Sequence, residues 1–257
     1  MSMKQIPLAI GPDPLPTFDT YLSAANAAAV AHLRSLVLPA APVYLWGPSG
    51  SGKSHLLRAL VHERQAAGER AGSFAADSSA PWQLQPGWSL VLIDDCDRLD
   101  AQRQQAAFSL FVQAADAGVQ WVAAGRLPPV DLALRDDLRT RLAWGHVFAL
   151  QPASENEARA ALRREADRRG IFLADEVIDY LLARAARDLG TLMQMLDRID
   201  RFALARQRLV TVPLLRQMLQ EDAGEAGAST PAGAPLHDAP VGRAAAPLAA
   251  GCSGGEA

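Results

Sequence analysis

Between Gly47 and Ser54 the chain reads G-P-S-G-S-G-K-S. This fits G-x-x-x-x-G-K-[ST], with Gly47, Gly52, Lys53 and Ser54 in the fixed places. The chemistry open to such a string is the holding of a triphosphate. An anion with many oxygens needs several backbone N–H donors converging on it, and the backbone through Pro48, Ser49, Gly50 and Ser51 can approach closely where residues lack a Cβ. A helix that starts near Gly52 adds its free N–H groups and its positive dipole end to the same anion. Lys53 then supplies a point charge to the outer phosphates, and the Ser54 hydroxyl a ligand to Mg²⁺. Of 25 basic residues only Lys4 and Lys53 are lysines. Arginine serves nearly everywhere else, so Lys53 stands where a compact ammonium fits between phosphates and a planar guanidinium does not.

A second group of chemical residues follows an apolar run. Leu90 to Ile93 leads into Asp94 and Asp95, which places two carboxylates at the carboxyl end of a buried strand, where ligands bind in open α/β sheets. Asp94 would hold Mg²⁺ directly or through water, and Asp95 could orient or deprotonate an attacking water. An apolar strand ending in Asp-Asp is by itself commonly a turn. Downstream of a phosphate loop it carries more information.

These residues need elements to position them. The pattern predicts strands at Val43–Trp46, Ser73–Ala76 (the weakest), Trp88–Ile93, Gln120–Ala124 and His146–Leu150. Between them it predicts helices from Gly52 to about Gly68, over Gln102–Ala117 and over Leu132–Leu142, after an alanine-rich helix from about Ser23 that Pro39 ends. Alternating β and α with a phosphate loop after the first core strand implies a three-layer α/β domain with a parallel sheet. From Ser154 the period is helical only. Ser154-x-x-Glu157 is a capping box whose helix ends at Gly170, and further helices follow Asp175, run from Asp188 to Ala205, and open at Pro213 to end near Glu221. The division expected is a leader over 1–16, a nucleotide domain over 17–152, a small all-α domain over 153–221, and a disordered tail over 222–257 rich in Ala, Gly, Pro and Ser. Arg159, Arg163, Arg164, Arg168 and Arg169 share one helix, read as a solvated face balanced by Glu155, Glu157, Glu165 and Asp167.

Composition narrows the classes. A hydrophobic share of 49%, a charged share of 21% and a net charge of −3 are those of an ordinary globular protein and argue against one that coats nucleic acid. Two cysteines, Cys96 and Cys252, give no disulfide framework. No apolar stretch approaches a membrane span and no signal peptide is evident, so a cytoplasmic location is expected. In the leader, Gln5, Ile6, Leu8 and Ile10 have the makings of an extended peptide ligand, with a hydrogen-bonding glutamine and apolar side chains for pockets on a partner.

With these pieces assembled, the chain resembles the AAA+ ATPases, and within them the replication initiator DnaA and its shorter relative, the DnaA regulatory inactivator Hda. Gly47 to Leu57 including His55, Leu90 to Leu99, Pro128-Pro129, Asp137 to Gly145 and Arg187 to Asp200 carry the likeness, which spans residues 5 to about 220. The resemblance implies a lid domain after the nucleotide domain, ADP or ATP with Mg²⁺ as ligands, Arg141 as an arginine finger reaching a neighbouring subunit's nucleotide, and Arg187 as a sensor arginine contacting bound nucleotide in cis. It likens Gln5 to Ile10 to the motif that docks on the DNA polymerase III sliding clamp, with Pro7 and Ala9 as departures. Partners so implied are DnaA through an AAA+ to AAA+ contact, the clamp, DNA only by way of the clamp, and a second copy of the chain. Two departures from the initiator separate the relatives: Asp77 to Trp88 is too short for the helices that take single-stranded DNA, and no basic helix-turn-helix domain follows the lid. A third departure, Arg126 where the family has a small polar or acidic sensor, puts intrinsic hydrolysis in doubt. The expected function is stimulation of hydrolysis of DnaA-bound ATP, preventing over-initiation, with weak or no ATPase of its own. The competing readings are a stand-alone ATPase that loads a helicase or assists transposition, and a binding adaptor with ADP as a structural ligand.

Overall fold

In β1 (Val43–Trp46) the side chains of Val43 and Leu45 enter one core and Tyr44 enters another, as period-two pleating requires of a strand covered on both faces. The computed structural model describes residues 16–228 apart from 22, 80 and 185–187. The same split recurs in β3 (Trp88–Ile93), with Leu90 and Leu92 opposite Val91 and Ile93, and in β4 (Gln120–Gly125), with Val122 and Ala124 opposite Trp121 and Ala123. With β2 (Arg70–Phe74) and β5 (His146–Ala149) they form a five-stranded, all-parallel sheet in the order β2-β3-β4-β1-β5. Helices α1 (Ala27–Arg34) and α2 (Lys53–Ala66) cover one face through Leu33, Leu56, Leu57 and Leu60. On the other face α3 (Ala101–Asp116) and α4 (Asp136–Ala143) contribute Leu110, Phe111, Leu138 and Leu142. The layers are therefore helix, sheet, helix.

Parallel pairing brings all the carboxyl ends to one edge. Trp46 stands opposite Gly125, and Ile93 opposite Ala123, so the residues that follow β1, β4 and β3 sit side by side. The chain leaves β1 toward β2 on one side and places β5 on the other, which makes β1 the point where an open sheet offers its crevice.

After β5 come α5 (Glu155–Arg169), α6 (Asp175–Arg184), α7 (Leu189–Arg206) and α8 (Val212–Ala228). The capping box forms as spelled: Glu157 N donates to Ser154 Oγ at 3.3 Å, and Ser154 N donates to Glu157 Oε2 at 2.8 Å. Gly170 ends α5 at φ +68°, the left-handed conformation that favours glycine there. Helices α5, α6 and α7 pack on one another and bury Leu162, Ile178, Leu181, Leu192, Leu196 and Ile199. The chain divides into two units at Met218 and Leu219, within α8. The sheet, its flanking helices and α5 to α7 lie in the first, which also holds the start of α8.

Four boundaries differ from the sequence reading. β2 is Arg70–Phe74 instead of Ser73–Ala76. Its Gly72 lies flat on Trp88, where an added Cβ would stand 2.1 Å from the ring, so pairing with β3 makes a strand that small residues do not announce. α1 opens at Ala27 behind a 3-10 turn at Ala24–Asn26, because Asn26 spends its side chain on Gln151. α4 opens at Asp136 after a 3-10 turn at Pro129–Asp131, with Leu132 and Leu134 buried between them. α8 continues past Glu221 to Ala228.

One packing contact makes a pH prediction. His32 of α1 lies ring to ring with His146 of β5 at 4.4 Å, and its Nε2 is buried without a hydrogen-bond partner. Burial first, and His146 second, hold the His32 pKa below its ordinary 6.5. The unfolded chain therefore takes up a proton that the folded ring refuses, so stability is full above about pH 6.5 and declines as pH falls through the range below it. The thermal midpoint is expected to drop between about pH 7.5 and about pH 5.5, and His32→Gln to flatten that slope. An identical slope in the variant would place the responsible protons elsewhere.

Candidate nucleotide-binding site

The loop from Gly47 to Gly52 joins β1 to Lys53, the first residue of α2. Gly50 and Gly52 adopt φ of +78° and +86°, and a Cβ on Gly52 would stand 2.4 Å from the Tyr21 ring. Glycine is required at Gly52 on both counts. Lys53 is 7% exposed. Its Nζ donates to Gly47 O at 2.8 Å, to Pro48 O at 2.9 Å and to Ser51 Oγ at 3.4 Å. Burial lowers the Lys53 pKa; Asp94, Asp95 and Asp97 oppose the shift, and Arg126 adds to it. An ammonium held by neutral carbonyls gains by exchanging them for phosphate oxygens, since charge-assisted hydrogen bonds are about twice as strong.

Asp94 leaves β3 with its N–H donating to Phe74 O at 2.8 Å, and its Oδ1 accepts the Asp95 N–H at 2.9 Å. Asp95 sits in the left-handed region at φ 50°, a conformation that costs a non-glycine residue about 1 kcal/mol. That backbone turn carries its carboxylate to the cleft wall, where it pairs with Arg98 at 3.5 Å. Asp97, 14% exposed, holds Arg126 at both ends: Oδ1 accepts the Arg126 N–H at 2.9 Å and Oδ2 pairs with Nε at 3.3 Å. Arg126 lies at the end of β4 and lines the same cleft.

The cleft holds about 960 Å³, at the upper end of the range usual for small-molecule sites. Its floor is Ser49 to His55. One wall comes from the segment before α1, which is tied down by His55 Nε2 to Thr17 O at 2.9 Å and by Tyr21 Oη to Ser51 O at 2.9 Å. Burial lowers the His55 pKa, and Arg58 assists while the Thr17 bond opposes. A neutral ring donating from Nε2 satisfies this geometry. The opposite wall is helical, built from Arg164, Glu165, Arg168 and Arg169 of α5 and from Asp188, Gly190, Met193 and Asp197 at α7.

The structure thus brings Ser49, Gly50, Ser51, Gly52, Lys53, Ser54, His55 and Asp95 to one cleft. Gly47 and Pro48 act on it through carbonyls that hold Lys53. Asp94 is half-buried behind Asp95, and its charge reaches Lys53. Arg141 lies elsewhere: it is exposed on the last turn of α4, its guanidinium 5.8 Å from the centre of the Phe111 ring. Gln5, Ile6, Leu8, Ile10 and Arg187 fall outside the described residues.

The arginine-rich face of α5 bears out the sequence reading in part. Glu155 pairs with Arg159 at 3.6 Å and Glu165 with Arg168 and Arg169 at 2.5 Å, as expected, while Asp179 and Asp175 of α6 and Asp197 of α7 add partners to Arg159, Arg163 and Arg169 that the sequence did not suggest. Glu157 is used on the helix cap and on the Ala24 N–H at 2.8 Å. Three of the five arginines face the cleft. The helical spacing of Ala161, Arg164, Glu165, Arg168 and Arg169 marks that face, but nothing in one sequence says what it faces. Tyr21 and Arg58 were likewise missed, since neither belongs to a recognisable string.

A parallel sheet with β1 flanked by β4 and β5, a G-x-x-x-x-G-K-S loop on β1, an Asp-Asp end on β3 and a helical wall over the cleft are the features of the AAA+ fold. Solved structures agree on the fold. Domain III of the Thermotoga maritima replication initiation protein DnaA is similar with a TM-score of 0.68 and 19% identity, over 82% of this chain and 98% of that one. AMPPCP-bound DnaA from Aquifex aeolicus gives 0.61 and 20%, over 84% and 71%. The Thermotoga maritima RuvB Holliday junction branch migration motor gives 0.58 and 16%, over 80% and 72%. Residues 155–219 match the family model described as Hda, lid domain. The chain thus has the AAA+ fold of these proteins, and its helical domain matches the Hda lid model.

Proposed function

We propose that this chain is a nucleotide-bound regulator of replication initiation that, together with the DNA-loaded sliding clamp, stimulates hydrolysis of ATP bound to DnaA. The position of Arg141 carries this reading. Its own cleft already holds Lys53, Ser54 and Asp95, yet Arg141 is on α4, exposed and absent from that cleft. A permanent, delocalised cation presented outward next to an AAA+ nucleotide domain suits the developing charge on another subunit's ATP.

The chain's own ligand is ADP or ATP. The donors fit Mg²⁺ as well: Ser54 and Asp95 line the cleft, with Asp94 half-buried next to Asp95, and Mg²⁺ on a nucleotide needs only one or two oxygen ligands from protein beside phosphates and water. The Ser54 hydroxyl and the Asp94 carboxylate would be those ligands, and the ion would neutralise phosphate charge. Arg126, an ion-paired arginine where hydrolysis calls for a small group orienting water, supports weak turnover of this chain's own nucleotide. Among the described residues no helix is long and apolar enough to cross a membrane, in keeping with a cytoplasmic regulator that meets DNA through the clamp.

The test is conversion of DnaA-bound ATP to ADP with clamp-loaded DNA, with and without this chain. Changing Gln5 and Leu8 both to Ala should weaken clamp binding by at least ~100-fold, since both anchors of a short peptide are lost, and should abolish the stimulation. Rapid ATP turnover by the chain alone, unaffected by DnaA or by the double variant, would favour the stand-alone ATPase instead.

A further inference from the structure

We infer that Tyr21 is a positioning residue for phosphate binding: its hydroxyl, oriented by Asn26, turns the Ser51–Gly52 peptide so that the Gly52 N–H faces the anion. The inference rests on the nucleotide reading of the cleft. It assigns a role to a residue outside the loop motif.

The geometry begins at the lid root. Asn26 is 2% exposed and is fixed from both sides by the backbone of Gln151, between β5 and α5: Gln151 N donates to Asn26 Oδ1 at 2.8 Å, and Asn26 Nδ2 donates to Gln151 O at 2.8 Å. The same Nδ2 donates to Tyr21 Oη at 2.6 Å. With that lone pair used, the Tyr21 hydroxyl has its proton left to give, and it gives it to Ser51 O at 2.9 Å. Burial pushes the Tyr21 pKa up to about 12, so the hydroxyl remains a donor throughout the physiological range.

The consequence follows from the planarity of the trans peptide. The C=O of Ser51 and the N–H of Gly52 belong to one plane and point in opposite directions. Holding the carbonyl toward Tyr21 directs the N–H away from it, which is the side inferred for the anion. The Tyr21 ring packs on the Cα of Gly52, where an added Cβ would come within 2.4 Å, so ring and hydroxyl grip the same peptide. Without the hydroxyl this peptide is free to flip, because glycine at Gly52 imposes little backbone preference of its own. The flipped form presents a carbonyl oxygen to the phosphate instead of a donor.

Because Tyr21 also lines the cleft, the rival role is contact with the base or ribose of the nucleotide. Inorganic tripolyphosphate separates the two, since it has neither. Affinities of the full chain and of Tyr21→Phe would be measured by calorimetry for ATP, ADP, tripolyphosphate and adenosine, with the melting point of each ligand-free protein. Tyr21→Phe keeps the ring and removes only the hydroxyl. The expected result is a loss of ~10-fold for ATP, ADP and tripolyphosphate alike, the usual weight of one hydrogen bond to a charged group, with adenosine binding unmoved. Tyr21→Ala should lose more while keeping the same ratio between ATP and tripolyphosphate.

A loss confined to ATP, ADP and adenosine overturns the inference in favour of base contact. Unchanged affinities for all four overturn it outright, and so does a weakening matched by unfolding of the ligand-free variant at the assay temperature. Failure of the unmodified chain to bind ATP or tripolyphosphate at all, with Lys53→Ala indistinguishable from it, overturns the nucleotide reading itself.

Discussion

Arg141→Ala is expected to return hydrolysis of DnaA-bound ATP to its unstimulated rate, a loss on the order of 10³-fold for a finger of ordinary weight, while nucleotide binding and clamp binding persist. The separation of effects follows from where the side chain is. The guanidinium of Arg141 lies over Phe111, which is itself buried and edge-on to Trp121 at 5.1 Å, while the residue as a whole is exposed. Removing it deletes one exposed cation–π contact, worth about 0.5–1 kcal/mol, and leaves the α3–α4 core intact. Arg141→Lys should recover little, because an ammonium cannot span two phosphate oxygens as a guanidinium does. The measurement is single-turnover release of ADP from DnaA with clamp-loaded DNA. Full stimulation by the Ala variant would remove Arg141 from the mechanism, and loss of folding or of clamp binding would recast it as structural.

The parts of this site legible in the sequence are those for which one local string suffices. The phosphate loop is read from eight consecutive residues because close backbone approach, a point charge and a metal-binding hydroxyl must all come from one turn. The parallel sheet also followed, since apolar runs covered on both faces announce one, although the order of its strands did not. What could not be read depends on residues far apart in the chain. Asn26 meets Gln151, Tyr21 meets Ser51, and Asp97 meets Arg126, and each pair is made only when α1, α2, β3 and β4 converge at one edge of the sheet. The α5 arginines were read only in part for the same reason: Glu155 and Glu165 on their own helix were legible, but Asp179, Asp175 and Asp197 lie on other helices. β2 escaped through its small residues, as its place is set by Trp88 across the pair.

The string Asp137 to Gly145 mixes both kinds of information, and its last residue makes the second large prediction. Gly145 turns the chain from α4 into β5, and a Cβ there would stand 1.8 Å from Pro42 O and 2.6 Å from Pro42 C. That carbonyl already accepts the His146 N–H at 2.8 Å, so the obstacle is backbone locked in place beside β1. Gly145→Ala should therefore cost about 3 kcal/mol or more, as overpacking against a rigid neighbour does at its upper end, and lower the melting point by roughly 6–12 °C. Gly68→Ala and Gly118→Ala are the contrast. Both residues have positive φ, at +81° and +67°, but open space where a Cβ would go, so each should cost only the left-handed penalty of about 1–2 kcal/mol. Trp144, 68% exposed one residue earlier, and Arg141 in the last turn of α4 both hang from this corner. If the clash is relieved by moving the end of α4 away from β1, Arg141 moves with it. Gly145→Ala should accordingly lose stimulation of DnaA even below its melting point, with nucleotide affinity at the cleft retained. A melting point equal to that of Gly118→Ala would mean that the Pro42 strand yields, and that the glycine ending this string has another reason to be there.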